Sequence, residues 1–283
     1  MHGAVRDVIT GTDGRGRIVG DATLDCTVAS DRSVISIAAQ PDDPALKALI
    51  GRVAHRGWRA AARELVDEGS PLLSLLDDVP IALLLSSYGA LRQGALDLKA
   101  VQPLMAGMRN LCAGWAEGAT PMRTMDAGQL MPLPGVVPVP SAAERDALAT
   151  EPREPLVPQE VRRVRRIDVV PGETLRVQAD FRDSYCNGAG EIGVLHEYVV
   201  SVTLSPAGVI DAIEAEPRVL PYDECSFAAA SPQRLVGRRI EDVAEEVRAG
   251  AGTATCSHLD DLLRSLSAVP TLQHRATTSE ADW

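Results

Sequence analysis

The sequence predicts an α+β fold, with antiparallel sheet covered by helices. Three observations carry this. Alternating polar and apolar stretches occur in two blocks, Arg17 to Gln40 and Thr174 to Ala215. Each block is followed by helical patterns rather than interleaved with them, which argues against a parallel sheet. The joints within each block are short turns such as Pro206-Ala-Gly208. The chain therefore divides into two halves of similar size. Residues 1–150 form a hairpin with helices, residues 151–270 a meander with helices, and residues 271–283 a flexible tail. VGDATLD (Val19–Asp25) and VQADFRD (Val177–Asp183) are faintly alike, which allows an internal duplication.

In the first half, Arg17–Thr27 and Ser33–Gln40 form a hairpin about Ser30-Asp31. Asp42-Asp43-Pro44 then supplies an N-cap and a first-turn proline for a long helix reaching about Asp67. Leu46, Ile50, Val53, Gly57 and Ala61 form its buried stripe, and this helix covers one sheet face. Arg52, Arg56, Arg59 and Arg63 form a cationic stripe that reads as a solvated face paired with acidic neighbours. Leu72–Tyr88 continues as helix, interrupted at Pro80, with Asp77-Asp78 as a cap before the proline. Leu96–Leu111 is a third helical stretch with a kink at Pro103. After CAGW (Cys112–Trp115) the segment Gly118–Pro140 reads as irregular, Ser141–Leu148 as a short helix and Glu151–Pro158 as a linker.

The second half opens with Arg162, Arg163, Arg165 and Arg166, read as a solvated strand entry. Strands follow at Thr174–Ser184, Ile192–Leu204 and Val209–Ala215. Cys186-Asn-Gly-Ala-Gly190 turns the first into the second. The last helix starts near Ser257, where Ser257 and Asp260 have the form of a capping box. Its apolar face is Leu259, Leu262, Leu263 and Leu266.

Composition limits the function. The chain has 283 residues and a net charge of −11, so its surface repels phosphate and nucleic acid is not a partner. The longest apolar run, Val79 to Leu91, is broken by Pro80, Ser86 and Ser87, which is too short for a membrane span. Met1-His-Gly-Ala does not begin a signal peptide. Five scattered cysteines argue against a disulfide scaffold and for a reducing, cytoplasmic setting. Motifs for nucleotides and metalloprotease zinc are absent, so no cofactor is expected. A small-molecule substrate is the expected partner, and a homo-oligomer is compatible with all of this.

The chemistry-bearing residues converge on the meander and the last helix. Strand alternation puts Ile192, Val194, His196, Tyr198 and Val200 on one face, with Glu197 on the other. On the preceding strand Leu175, Val177, Ala179, Phe181 and Asp183 share a face. Hairpin register sets Asp183 opposite or diagonal to His196. The pair can work as acid and base, or serve as a satisfied core histidine with its aspartate. Packing the leucine face on this strand brings His258 to the same edge, with Cys225 and Cys256 nearby. Three catalytic candidates result: Asp183, His196 and His258. Cys112, Trp115, Asp25, Tyr198 and Cys256 are the candidate substrate contacts. Cys256 at a helix start can be a thiolate nucleophile or an inert core cysteine. Cys225, Cys256 and His258 could hold a metal, but the spacing matches no zinc signature and no metal site is assigned.

FRDS (Phe181–Ser184), LHEYVVSV (Leu195–Val202), IEAEPRVLPYDEC (Ile213–Cys225), AAASPQRLVG (Ala228–Gly237) and TCSHLDDLLRSL (Thr255–Leu266) together resemble an uncharacterised bacterial domain-of-unknown-function family. The resemblance extends less specifically to LLDDVP (Leu75–Pro80) and CAGW. The family pattern has Thr and Asn where Ser257 and Asp260 stand, and commonly a histidine at Tyr185. It implies no reaction but supports the choice of positions. The expected function is cofactor-independent acid/base chemistry on an apolar or aromatic small molecule or its CoA ester: hydration, elimination, isomerisation or C–C cleavage. A non-catalytic binding protein is the alternative. A metal enzyme using the Cys/His cluster is the third.

Overall fold

The computed structural model describes residues 1–11, 15–133, 137 and 155–279. The fold is α+β, with one three-stranded and one four-stranded antiparallel sheet. Packing groups the chain into two compact units. The first holds Met1–Leu84 and residues 274–279. The second holds residues 85–133 together with residues 155–273. Residues 85–133, assigned above to the N-terminal half, thus pack with the second sheet. The expected helix at Ser141–Leu148, and the linker up to residue 154, lie outside the described residues.

In the first unit, strands β1 (His2–Thr10), β2 (Gly16–Val28) and β3 (Val34–Gln40) run in the order β1-β2-β3. The hairpin of β2 and β3 is the one read from the sequence. The sequence pattern does not mark strand β1, because a register shift between Asp7 and Val8 interrupts its alternation. The long helix expected from Pro44 to Asp67 is not formed. Asp43 does cap a start there, accepting from Ala45 N at 3.0 Å. The result is only a 3-10 turn, Pro44–Leu49. Gly51 and Gly57 then take positive φ, 81° and 80°, and Ser33 bridges to Val53. Helix resumes as α1 (Trp58–Arg63), and Ile50 and Val53 are exposed rather than in a buried stripe.

Helix α2 (Pro71–Arg92) runs unbroken through Pro80. Asp77 is therefore mid-helix rather than at a helix start; it pairs with Arg63 at 2.6 Å, while its carbonyl accepts from Arg59 at 3.1 Å. By length and composition α2 could cross a membrane. Its Leu72, Leu73, Leu76, Val79 and Leu83 instead lie in the core of the first unit with Trp58. Trp58 is sealed in that core and donates its indole N–H to Leu76 O at 2.7 Å.

The second unit carries the meander β4 (Val161–Val170), β5 (Leu175–Cys186), β6 (Ile192–Leu204) and β7 (Ile210–Val219), in sequential order. The β5–β6 turn is held by the Asn187 side chain, which accepts from Ala189 N and Glu191 N at 2.9 Å. Gly208 closes the β6–β7 turn at φ 75°. The last turns of α2 pack on the sheet face that carries Tyr185 and Val161: Tyr88 stands edge-on to Tyr185 at 5.9 Å, and a side chain at Gly89 would meet Val161 at 3.2 Å. Helices α3 (Leu98–Met105, containing Pro103) and α4 (Thr120–Asp126) follow, and α4 replaces part of the irregular stretch expected from Gly118.

The same sheet face, which also carries Phe181 and Asp183, is covered further along by the 3-10 segment Asp223–Leu235 and by α5 (Val243–Ala249) and α6 (Ser257–Ser265). Leu259, Leu262, Leu263 and Leu266 pack there with Phe181, Tyr198 and Val200. Each buried leucine contributes about 2 kcal/mol, so these side chains fix where α6 sits. Helix α7 (Val269–Ser279) occupies most of the expected tail. The halves differ in strand count, three against four.

Candidate functional site

The site grows from three elements. Strand β5 and strand β6 pair Asp183 directly with His196. Strand β4 places Arg163 opposite Asp183 on the other side. Helix α6 begins at Ser257 and projects His258 and, one turn on, Asp261. The helix start matches the sequence reading but the capping box does not form. Cys256 occupies the N-cap, and Asp260 turns to Arg234 at 3.3 Å instead.

Asp183 is fully buried and Arg163 nearly so. The guanidinium grips the carboxylate with two bonds, Nε to Oδ1 at 2.7 Å and Nη2 to Oδ2 at 2.8 Å. Its remaining arm, Nη1, donates to Asp261 Oδ2 at 2.8 Å. Asp261 also accepts from Arg264 at 2.9 Å. The charges of this chain cancel in pairs. Phe181 lies under the guanidinium, 4.3 Å from ring centre to Cζ. Burial pushes the Asp183 carboxyl up, but the charge and bonds of Arg163 and the neighbouring imidazoles hold it well below the usual carboxylate range.

Both histidines turn Nδ1 toward the same oxygen. His258 Nδ1 is 3.2 Å from Asp183 Oδ2, in hydrogen-bonding geometry. His196 Nδ1 is 3.3 Å from it, yet it is buried with no hydrogen bond. The reason is the stacking of the two rings, with centroids 3.7 Å apart and planes 19° apart. One oxygen cannot lie in line with both. Burial, and then the neighbouring His258, depress the pKa of His196 from the usual 6.5 to about 4, so it is neutral at pH 7.

Asp183, His196 and His258 are the one group of three or more His, Cys, Asp or Glu among the described residues whose ligand atoms lie within 4.8 Å of one another. The ring geometry argues against a shared metal. A metal about 2.1 Å from an imidazole nitrogen sits near the plane of that ring. Two rings stacked at 3.7 Å and 19° have no such common point within bonding distance. Arg163 Nη2, 3.1 Å from His258 Nδ1, already supplies the cation.

Residues 161–272 match the model for Protein of unknown function (DUF2889). This agrees with the resemblance read from the motifs. The DUF2889 stretch contains every member of the cluster: Arg163, Asp183, His196, His258 and Asp261. Neither the curated proteins nor the solved structures contain a match to the chain.

The other expected site residues are dispersed around this cluster or away from it. Tyr198, one pair further along β6 from His196, is sealed in the core and donates to Cys225 O at 3.2 Å. Cys256 is buried, and burial outweighs the helix-start N–H groups, pushing its thiol up to about 12. Cys225 is likewise raised to about 12 by burial. A thiolate nucleophile is therefore not supported at either position. Cys112 is buried and Trp115 half-buried beside it on the loop; Ala113 N donates to Thr255 O at 2.8 Å, which ties that loop to the start of α6. Asp25 belongs to the first unit, where it pairs with His2 at 2.9 Å on the surface.

Sequence reasoning missed Arg163 and Asp261. Four arginines in five positions, Arg162, Arg163, Arg165 and Arg166, hide the alternation, so the run reads as solvated. Val161, Arg163, Ile167 and Val169 share a parity, and that parity faces Asp183, Ala179 and Val177. Asp261 falls three residues after His258, the spacing of one helix face. A cleft of about 390 Å³ at the far end of the meander, between the Pro171–Glu173 and Ser205–Gly208 turns, holds none of these residues.

Proposed function

We propose that this chain is an enzyme that moves protons on a small apolar or aromatic molecule, an acid or CoA ester among them, with His258 as the base. Hydration, elimination, isomerisation and C–C cleavage all need such a step. One observation carries the reading: a buried, charged carboxylate bonds the Nδ1 edge of an imidazole at a helix start. A carboxylate that takes Nδ1–H leaves Nε2 with its lone pair, the arrangement that makes an imidazole a directed base. Neither Nε2 makes a hydrogen bond among the described residues, and each histidine side chain keeps 13% of its surface exposed. His196, held neutral and stacked on His258, is placed to hand a proton to or from the same substrate. The five cysteines are all free thiols, which suits a reducing cytoplasm.

The test is solvent exchange. Wild-type protein is incubated in D₂O with small aromatic and aliphatic acids and their CoA esters, and C–H exchange or turnover is followed by NMR and mass spectrometry. We expect exchange with one substrate class, reduced about 10²-fold or more in His258→Asn with the circular dichroism unchanged. Binding of a panel member that is equal in wild type and His258→Asn, with no exchange in either, would establish the binding-protein alternative. Stoichiometric transition metal in wild type but not in Asp183→Asn would replace proton transfer by metal chemistry.

A further inference from the structure

Resting on the reading of His258 as base, we infer that Arg163, clamped by Asp261, is the positioning residue that sets the tautomer of His258. Two groups compete for His258 Nδ1: Asp183 Oδ2 at 3.2 Å and Arg163 Nη2 at 3.1 Å. If Nδ1 carries the proton, it donates to the carboxylate. If Nδ1 is bare, it accepts from the guanidinium, and the proton sits on Nε2, where it abolishes a base. The charge that Arg163 keeps on Asp183 decides between the two. Nε, Nη1 and Nη2 each donate to a carboxylate oxygen, at 2.7, 2.8 and 2.8 Å, and the second hydrogen of Nη2 turns to the imidazole. A bare Nδ1 would accept that hydrogen but would set its lone pair against the nearer lobe of a buried, charged carboxylate oxygen. The ionised carboxylate is the stronger partner, so the Nδ1–H form prevails while Asp183 stays charged.

Asp261 makes this stable. It holds the Nη1 arm from the same helix that carries His258, so guanidinium and imidazole are fixed to one body. Phe181 closes the other side of the guanidinium at 4.3 Å. Among the described residues, the charged and titratable groups paired with Asp183 are Arg163 from β4, His196 from β6 and His258 from α6. Without Arg163 the buried carboxyl takes up a proton. It then donates to His258 Nδ1 and drives the ring to the Nε2–H form. The positive charge thus acts on the base through Asp183, without touching substrate.

Imidazole ¹⁵N NMR of the full chain tests this without any substrate. At neutral pH wild type should show a pyrrole-like Nδ1 and a pyridine-like Nε2 for His258. Arg163→Gln should move His258 toward the opposite pattern, and Arg163→Lys, which restores the charge, should recover part of the wild-type pattern. A merely structural role would not separate Gln from Lys in this way. Asp261→Asn leaves the Arg163–Asp183 pair intact and serves if Arg163→Gln does not fold. It should cost the slow-exchanging Nδ1–H resonance of His258, and an Asp261→Asn spectrum identical to wild type overturns the clamp. If wild type shows the Nδ1–H pattern and Arg163→Gln leaves it unchanged, the inference is wrong while His258 stays available as base. If wild type itself carries the proton on Nε2, the base reading fails first.

Discussion

Replacing Asp183 by Asn removes one charge and almost no volume. In the native protein Arg163 donates to both Asp183 oxygens, at 2.7 and 2.8 Å, and no part of the carboxylate meets solvent. The amide offers one acceptor and sets an N–H₂ against a guanidinium donor. Breaking a buried ion pair by removing one partner costs about 3–5 kcal/mol. Arg163 keeps its 2.8 Å bond to Asp261, so its charge is not orphaned and the cost should fall near the lower figure, about 3 kcal/mol. The chain has two units, so a single melting curve does not isolate this effect. Native-state hydrogen exchange at the β5 and β6 amides does. The pH dependence gives a second reading. The Asp183 carboxyl is held well below its ordinary range in the fold, because Arg163 and the imidazoles outweigh burial. Its stabilisation is complete above the unfolded value of about 3.9 and is lost as pH falls through the folded one. The gap between wild type and Asp183→Asn should therefore be constant near neutrality and close below about pH 4. A neutral-pH gap under about 1 kcal/mol, the size of an exposed pair, would refute the argument. So would a gap unchanged down to about pH 2.

Two further outcomes follow from particular contacts. Burial and His258 hold the His196 pKa at about 4, so the unfolded chain takes up this proton first as pH falls from 6.5. Between pH 7 and 5 this should cost about 2 kcal/mol. His196→Phe, which keeps a ring on His258, should lose less stability over that interval, and urea titrations at the two pH values check it. A β-carbon at Gly114 would stand 2.7 Å from Cys225 Sγ, so Gly114→Ala should destabilise by about 1–3 kcal/mol. Adding Cys225→Ala should recover part of that loss, and double-variant unfolding that shows pure additivity would count against the contact.

The sequence determined the class of fold and the faces. Strand alternation set Phe181 and Asp183 on one side, and His196 and Tyr198 on the matching side, because side chains of a strand alternate whatever lies around them. The Leu259, Leu262, Leu263 and Leu266 stripe likewise required burial, which carried His258 toward that face. Local signals failed where long-range contact outweighed them. Asp43 and Pro44 announce a helix, but Gly51, Gly57 and the Ser33–Val53 bridge end it after a 3-10 turn. Pro80 announces a break, but α2 runs on, with leucines on both sides of it in one core. Arg163 belongs to a run that reads as solvated, and only the pairing of β4 with β5 and the arrival of Asp261 turn it inward. A buried charge is stable only beside its partners, here twenty and ninety-eight residues away in the chain. Periodicity could state which way Asp183 and His196 point. Which cation neutralises Asp183, and how the two imidazoles stack on one oxygen, are decided where β4, β5, β6 and α6 meet.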